Sequence, residues 1–114
     1  LDFANVMARS YLVITDSGGV QEEGPSLGKP VLVLRTVTER PEAVKFGTVK
    51  LVGLDEGKIF SSARTLLDDA LAYQRMASAT NPYGDGNAAR RTIGVIRNYF
   101  GMSRTLPSEF SPKR

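Results

Sequence analysis

Apolar residues along this chain fall into short blocks whose spacing changes from one block to the next. Tyr11-Leu12-Val13-Ile14, Val31-Leu32-Val33-Leu34 and Thr48–Val52 are brief, rich in β-branched side chains and free of polar alternation. That pattern predicts strands buried on both faces of a parallel sheet. Between these runs the apolar period lengthens to that of a helix. Phe3, Val6 and Met7 stand at i, i+3 and i+4 and predict the end of a helix over Asp2 to Arg9. A short helix follows Ser17-Gly18-Gly19, interrupted by Gly24 and Pro25 and ended by Gly28-Lys29-Pro30. Another opens at Pro41 and stops at Gly47. Asp55 can cap a third, whose stripe is Ile59, Ala63, Leu66 and Leu67. A break at Asp68-Asp69 leads to a segment carrying Leu71, Tyr73 and Met76. Asn81-Pro82-Tyr83-Gly84-Asp85-Gly86 is a loop by its turn residues, and Ala88 to Phe100 is a last helix stopped by Gly101.

Strands alternating with helices predict an α/β fold, a Rossmann-like parallel sheet with flanking helices. The expected division is a nucleotide-binding domain over residues 1–101 and a polar tail over 102–114, unstructured or packed as an arm on a partner. Because the chain opens inside a helix, it is expected to be a fragment. Ligands of such sheets bind at the carboxyl ends of the strands. Ser17 and the loop 35–40 both follow strand ends, so both should lie on one rim.

Composition narrows the chemistry. With 114 residues, 41% apolar and 24% charged, the chain has the size and balance of one globular domain. It has no cysteine, which excludes disulfides and thiolate metal sites and fits the cytoplasm. It also has no histidine, so the commonest general base and metal ligand is missing. Neither a metal nor a redox cofactor is expected, and no apolar run is long enough to span a bilayer. The net charge of +3 is uneven, with 9 basic and 11 acidic residues before position 87 and 6 basic and 1 acidic after it. No interleaved aromatic–basic pattern supports nucleic-acid binding there, so a solvated helix face with a disordered tail is preferred.

The candidate chemistry gathers on the predicted rim. In Thr15-Asp16-Ser17-Gly18-Gly19-Val20-Gln21-Glu22-Glu23 the glycines allow close approach of backbone to a ligand, and the amides at a helix start suit an anion. An acid on the buried side one turn in, Glu23, could accept from ribose hydroxyls. A tight strand-to-helix turn and a solvated acid explain the same residues without a ligand. Arg40, in Thr38-Glu39-Arg40-Pro41-Glu42, has the forked donors that suit a diphosphate, or it pairs with Glu39 or Glu42. Those two acids are better placed for a structural role than for acid–base catalysis. Phe3 fits either the core or the side of a base. Tyr83 in its loop is a further possible contact, although loop geometry accounts for most of its neighbours.

Four linked segments carry a resemblance to a known family. They are residues 15–23, Pro25-Ser26-Leu27-Gly28-Lys29-Pro30-Val31-Leu32-Val33, Thr38-Glu39-Arg40-Pro41-Glu42-Ala43 and residues 81–86. Together, over about residues 1–100, they resemble the bacterial non-hydrolysing UDP-N-acetylglucosamine 2-epimerases. The resemblance implies the C-terminal, nucleotide-binding half of a glycosyltransferase-B architecture. It implies that Ser17 and the Gly18 and Gly19 backbone bind the diphosphate and that Glu23 takes the ribose. Arg40 would contact the UDP-sugar, and Phe3 would sit by the uracil. It further implies elimination and re-addition of UDP at a UDP-GlcNAc substrate, a homodimer of the full-length protein, and catalytic groups on a missing N-terminal domain. No residue of this chain is then catalytic. The sequence departs from the family pattern at Arg35-Thr36-Val37, where Arg-Asp-Thr is usual, and at Gly24, where Ala is usual. A hydrolysing epimerase, a glycosyltransferase of the same architecture and a stand-alone nucleotide-sugar binding module remain the competing readings.

Overall fold

The computed structural model describes residues 2–112. The chain divides into two compact units, Leu1–Pro82 and Tyr83–Arg114. The first is built as α1 (Asp2–Arg9), β1 (Val13–Thr15), α2 (Val20–Ser26), β2 (Val31–Val33), α3 (Pro41–Phe46), β3 (Val49–Leu51), α4 (Glu56–Asp68) and α5 (Ala70–Ala77). The second contains α6 (Ala88–Tyr99) and the segment after it.

The three strands form one parallel sheet in the order β1-β2-β3, with Thr15 opposite Val33 and Val33 opposite Leu51. β2 is central, and Val31, Leu32 and Val33 are all fully buried. It therefore reads as an unbroken apolar run, as a strand covered on both faces must. At the edge, β1 is only partly covered and Ile14 is exposed. The expected strand from Tyr11 starts two residues later. The Tyr11 carbonyl instead accepts the Tyr73 hydroxyl at 3.1 Å, and the two rings stack at 4.2 Å. Backbone pairing with the neighbouring segment begins at Val13, whose N–H donates to the Pro30 carbonyl.

Leu32, Val52 and Leu66 make the core cluster, with Leu12, Leu34, Ile59, Ala63 and Met76 against it. Leu67 and Leu71, expected on the apolar stripes, are exposed instead. In α1 only Met7 is buried, and both Phe3 and Val6 face outward. Asp55 caps α4 as expected, and Asp69, expected only as a break, caps α5. The Asp55 carboxylate accepts from the Lys58 N–H at 2.8 Å, and that of Asp69 accepts from Leu71 and Ala72 at 2.9 and 3.0 Å. Gly47, with φ of 80°, ends α3 in the left-handed region, which a Cβ disfavours. Helix α2 lies close on β2: a Cβ on Gly24 would come 2.5 Å from Val31 Cγ2. Val31 thus takes the space that the methyl of an alanine would need.

In the second unit, Asp85 and Arg91 pair through two hydrogen bonds of 2.6 and 2.8 Å. Residues 102–112 form no regular element, yet they lie against α6. Arg91 Nε donates to the Ser108 carbonyl at 2.9 Å, and Pro107 covers Gly94. Among the described residues no helix is long and apolar enough to cross a membrane.

Candidate functional site

Parallel pairing brings the carboxyl ends of β1 and β2 side by side, so residues 16–19 and 34–40 leave the sheet along one rim. The first loop turns at once, because Thr15 Oγ1 accepts the Ser17 N–H at 3.0 Å. Helix α2 then begins tightly. Gln21 N–H donates to the Gly18 carbonyl, and Glu22 and Glu23 both donate to that of Gly19. Gly19 has helical φ and ψ and provides no side-chain cap. Gly18, Gly19 and Val20 donate no backbone hydrogen bond among the described residues. The amides of Gly18 and Gly19, on the outer part of this turn, are therefore open to an acceptor from outside the chain, while Val20 is buried.

Arg40 reaches this turn from the second loop. A Cβ on Gly18 would lie 2.8 Å from Arg40 Nη1 and 3.3 Å from its Cζ. The guanidinium thus rests over the glycine, and only a residue without a side chain leaves it that place. Arg40 Nε is hydrogen-bonded to the Glu22 carboxylate, and Nη1 lies 3.6 Å from Glu39 Oε2. Glu39 also lies 3.5 Å from Arg35 Nη1. The expected ion pair to Glu39 is thus present, while the hydrogen-bonded partner, Glu22, was not foreseen.

The predicted site residues separate into two groups. Ser17, Gly18, Gly19 and Arg40 share the rim. Glu23 stands one turn along α2, exposed, with no side-chain hydrogen bond or ion pair among the described residues. The acid on the more buried side is Glu22, because the helix turns that residue toward Arg40. Phe3 is on α1, 62% exposed, so it does not belong to the core.

Sequence reasoning missed two members of the rim, Gln21 and Thr38. Gln21 is fully buried. Its Nε2 donates to the Ser17 carbonyl at 3.3 Å, and its Oε1 accepts the Thr38 hydroxyl at 2.6 Å. Thr38 Oγ1 in turn accepts the Arg40 N–H at 3.0 Å. A signal for Gln21 exists in the sequence: it shares a helix face with Gly24 and Pro25, and a buried amide must find partners.

The family model described as UDP-N-acetylglucosamine 2-epimerase matches residues 1–97. The UDP-N-acetylglucosamine 2-epimerase of Bacillus subtilis is 52% identical over 113 residues, which is 99% of this chain and 30% of that protein. A crystal structure of UDP-N-acetylglucosamine 2-epimerase superposes with a TM-score of 0.95 at 53% identity, covering 96% of this chain and 30% of that one. The UDP-GlcNAc 2-epimerase of Neisseria meningitidis, solved bound to UDP-GlcNAc, gives 0.82 at 50% identity over 84% of this chain and 26% of that one. This chain spans under a third of the length of these relatives.

Proposed function

This chain belongs to the UDP-N-acetylglucosamine 2-epimerase family, and from that premise we propose that it holds the UDP moiety of a UDP-sugar on the rim described above. The observation that carries the reading is the Arg40 guanidinium resting over Gly18, where the Gly18 and Gly19 amides have no acceptor among the described residues. A diphosphate needs fixed N–H donors and a forked cation at one place, and charge-assisted bonds to it are the strong ones. In this reading Ser17, Gly18 and Gly19 receive the diphosphate oxygens and Arg40 faces them. Glu23 accepts from the ribose hydroxyls, and exposed Phe3 lies along the uracil. The similar protein solved with UDP-GlcNAc supports the choice of nucleotide sugar.

Within the complete enzyme the reaction is interconversion of UDP-GlcNAc and UDP-ManNAc by anti elimination and re-addition of UDP. Cleavage of the anomeric C–O bond leaves negative charge on the β-phosphate. Prearranged donors lower the energy of that charge as it develops, which is an electrostatic contribution to the rate. Removing the C2 proton requires a base, which the reading assigns to the rest of the enzyme. A homodimer and a cytoplasmic location belong to the same reading and are to be examined on the complete protein.

Calorimetry with UDP tests the site. Ser17→Ala removes one hydroxyl contact and Glu23→Ala the ribose acceptor, so each should weaken binding by about 3- to 30-fold. Unchanged affinity in both variants would overturn the assignment.

A further inference from the structure

We propose that Gln21 is a positioning residue, which together with Thr38 fastens the two loops into one anion-binding rim. The proposal rests on the diphosphate reading above and deepens it. Four groups form an unbroken relay in which every donor points the same way. Arg40 N–H donates to Thr38 Oγ1, Thr38 donates to Gln21 Oε1, and Gln21 Nε2 donates to the Ser17 carbonyl. The chemistry fixes these directions. A carbonyl only accepts, so Nε2 must face Ser17 and Oε1 must face Thr38. The Thr38 oxygen already receives the Arg40 N–H, so its own proton goes to Gln21. A relay of this kind polarises each bond through its neighbours, more so out of water, and Gln21 is fully buried.

What the relay orients follows from the peptide plane. In a trans peptide the carbonyl and the next N–H point to opposite sides. Drawing the Ser17 carbonyl toward the buried Gln21 amide therefore turns the Gly18 N–H away from Gln21, at the residue over which Arg40 rests. The two glycines leave this turn free to adopt other peptide orientations, so an outside anchor is required. At its other end the relay holds the Arg40 backbone at the entry to α3, where Pro41 fixes the following residue. One buried amide thus aims an amide donor from the first loop and the guanidinium from the second.

The test measures UDP and uridine binding to the chain by NMR titration, alongside thermal melting. Gln21→Met keeps the shape and removes both bonds, Thr38→Val breaks the relay, and Thr38→Ser preserves it. Gln21→Met and Thr38→Val should lower UDP affinity about tenfold while uridine changes less than about twofold, and Thr38→Ser should bind like the parent. Thr38→Val, in a loop, keeps the question answerable if Gln21→Met does not fold. An equal loss for UDP and uridine, or no loss, overturns the positioning role alone. A parent chain that fails to prefer UDP over uridine overturns the diphosphate reading and the relay's purpose with it.

Discussion

Gly18 is the residue on which the candidate site turns. The Cβ of an alanine there would meet Arg40 Nη1 at 2.8 Å, and a guanidinium is a flexible terminus that can swing away. Gly18→Ala should therefore leave melting nearly unchanged while displacing the cation. Losing one charged hydrogen bond corresponds to roughly 10- to 100-fold in UDP affinity. Calorimetry showing parent-like affinity would refute this placement of Arg40. Asp85 offers a second residue-level outcome. The side-chain hydrogen bond from Arg91, then the Asn87 N–H, hold its carboxyl well below the usual carboxylate range. Because the folded value is the depressed one, the pair's stabilisation is present above the unfolded pKa of about 4 and is lost as pH falls toward the folded one. The carbon-13 resonance of the Asp85 carboxyl should still report the ionised form at about pH 3. A midpoint near 4 would contradict the bidentate geometry.

The elements show where side-chain pattern suffices and where it stops. β2 was legible because all three of its residues face interior on both sides. Leu32→Ala should cost about 2–5 kcal/mol, a fall in melting temperature of roughly 10 °C or more. Leu67→Ala, on the exposed side of α4, should cost less than about 0.5 kcal/mol. Thermal melts of the two side by side check both. The helix stripes were less legible, because Leu67, Leu71, Val6 and Phe3 continue an apolar period beyond the surface that the sheet covers. The start of β1 was misplaced for a different reason. Its competitor, the Tyr73 hydroxyl, is 62 residues away, and no local pattern encodes it. At the site, Ser17, Gly18, Gly19 and Arg40 were legible because strand ends of a parallel sheet share a rim. Glu22 and Gln21 were not, since the turn of α2 decides which polar residue faces Arg40 and which faces the interior.

At the scale of the whole molecule, charge and chemistry are unevenly distributed. The first compact unit carries 9 basic and 10 acidic residues, and the second 6 basic and 2 acidic. The rim lies wholly in the first, and the chain contains no histidine. On the reading that this rim retains a leaving group while a base elsewhere in the enzyme removes the proton, the chain by itself should bind UDP yet leave C2 of UDP-GlcNAc untouched. Incubation in deuterium oxide followed by mass spectrometry should find no label at C2, and clear incorporation would assign a base to this chain.

The relay through Gln21 and Thr38 also bears on how such a rim can be transplanted. Loop 35–40 and the Ser-Gly-Gly turn are separated in sequence by a helix and a strand, so they look like independent modules for grafting. They share an amide that belongs to neither loop. A recipient scaffold given both loops but an apolar residue at the position of Gln21 would inherit every ligand-facing group and none of their aim. The smallest transferable unit is three pieces, and the third is buried.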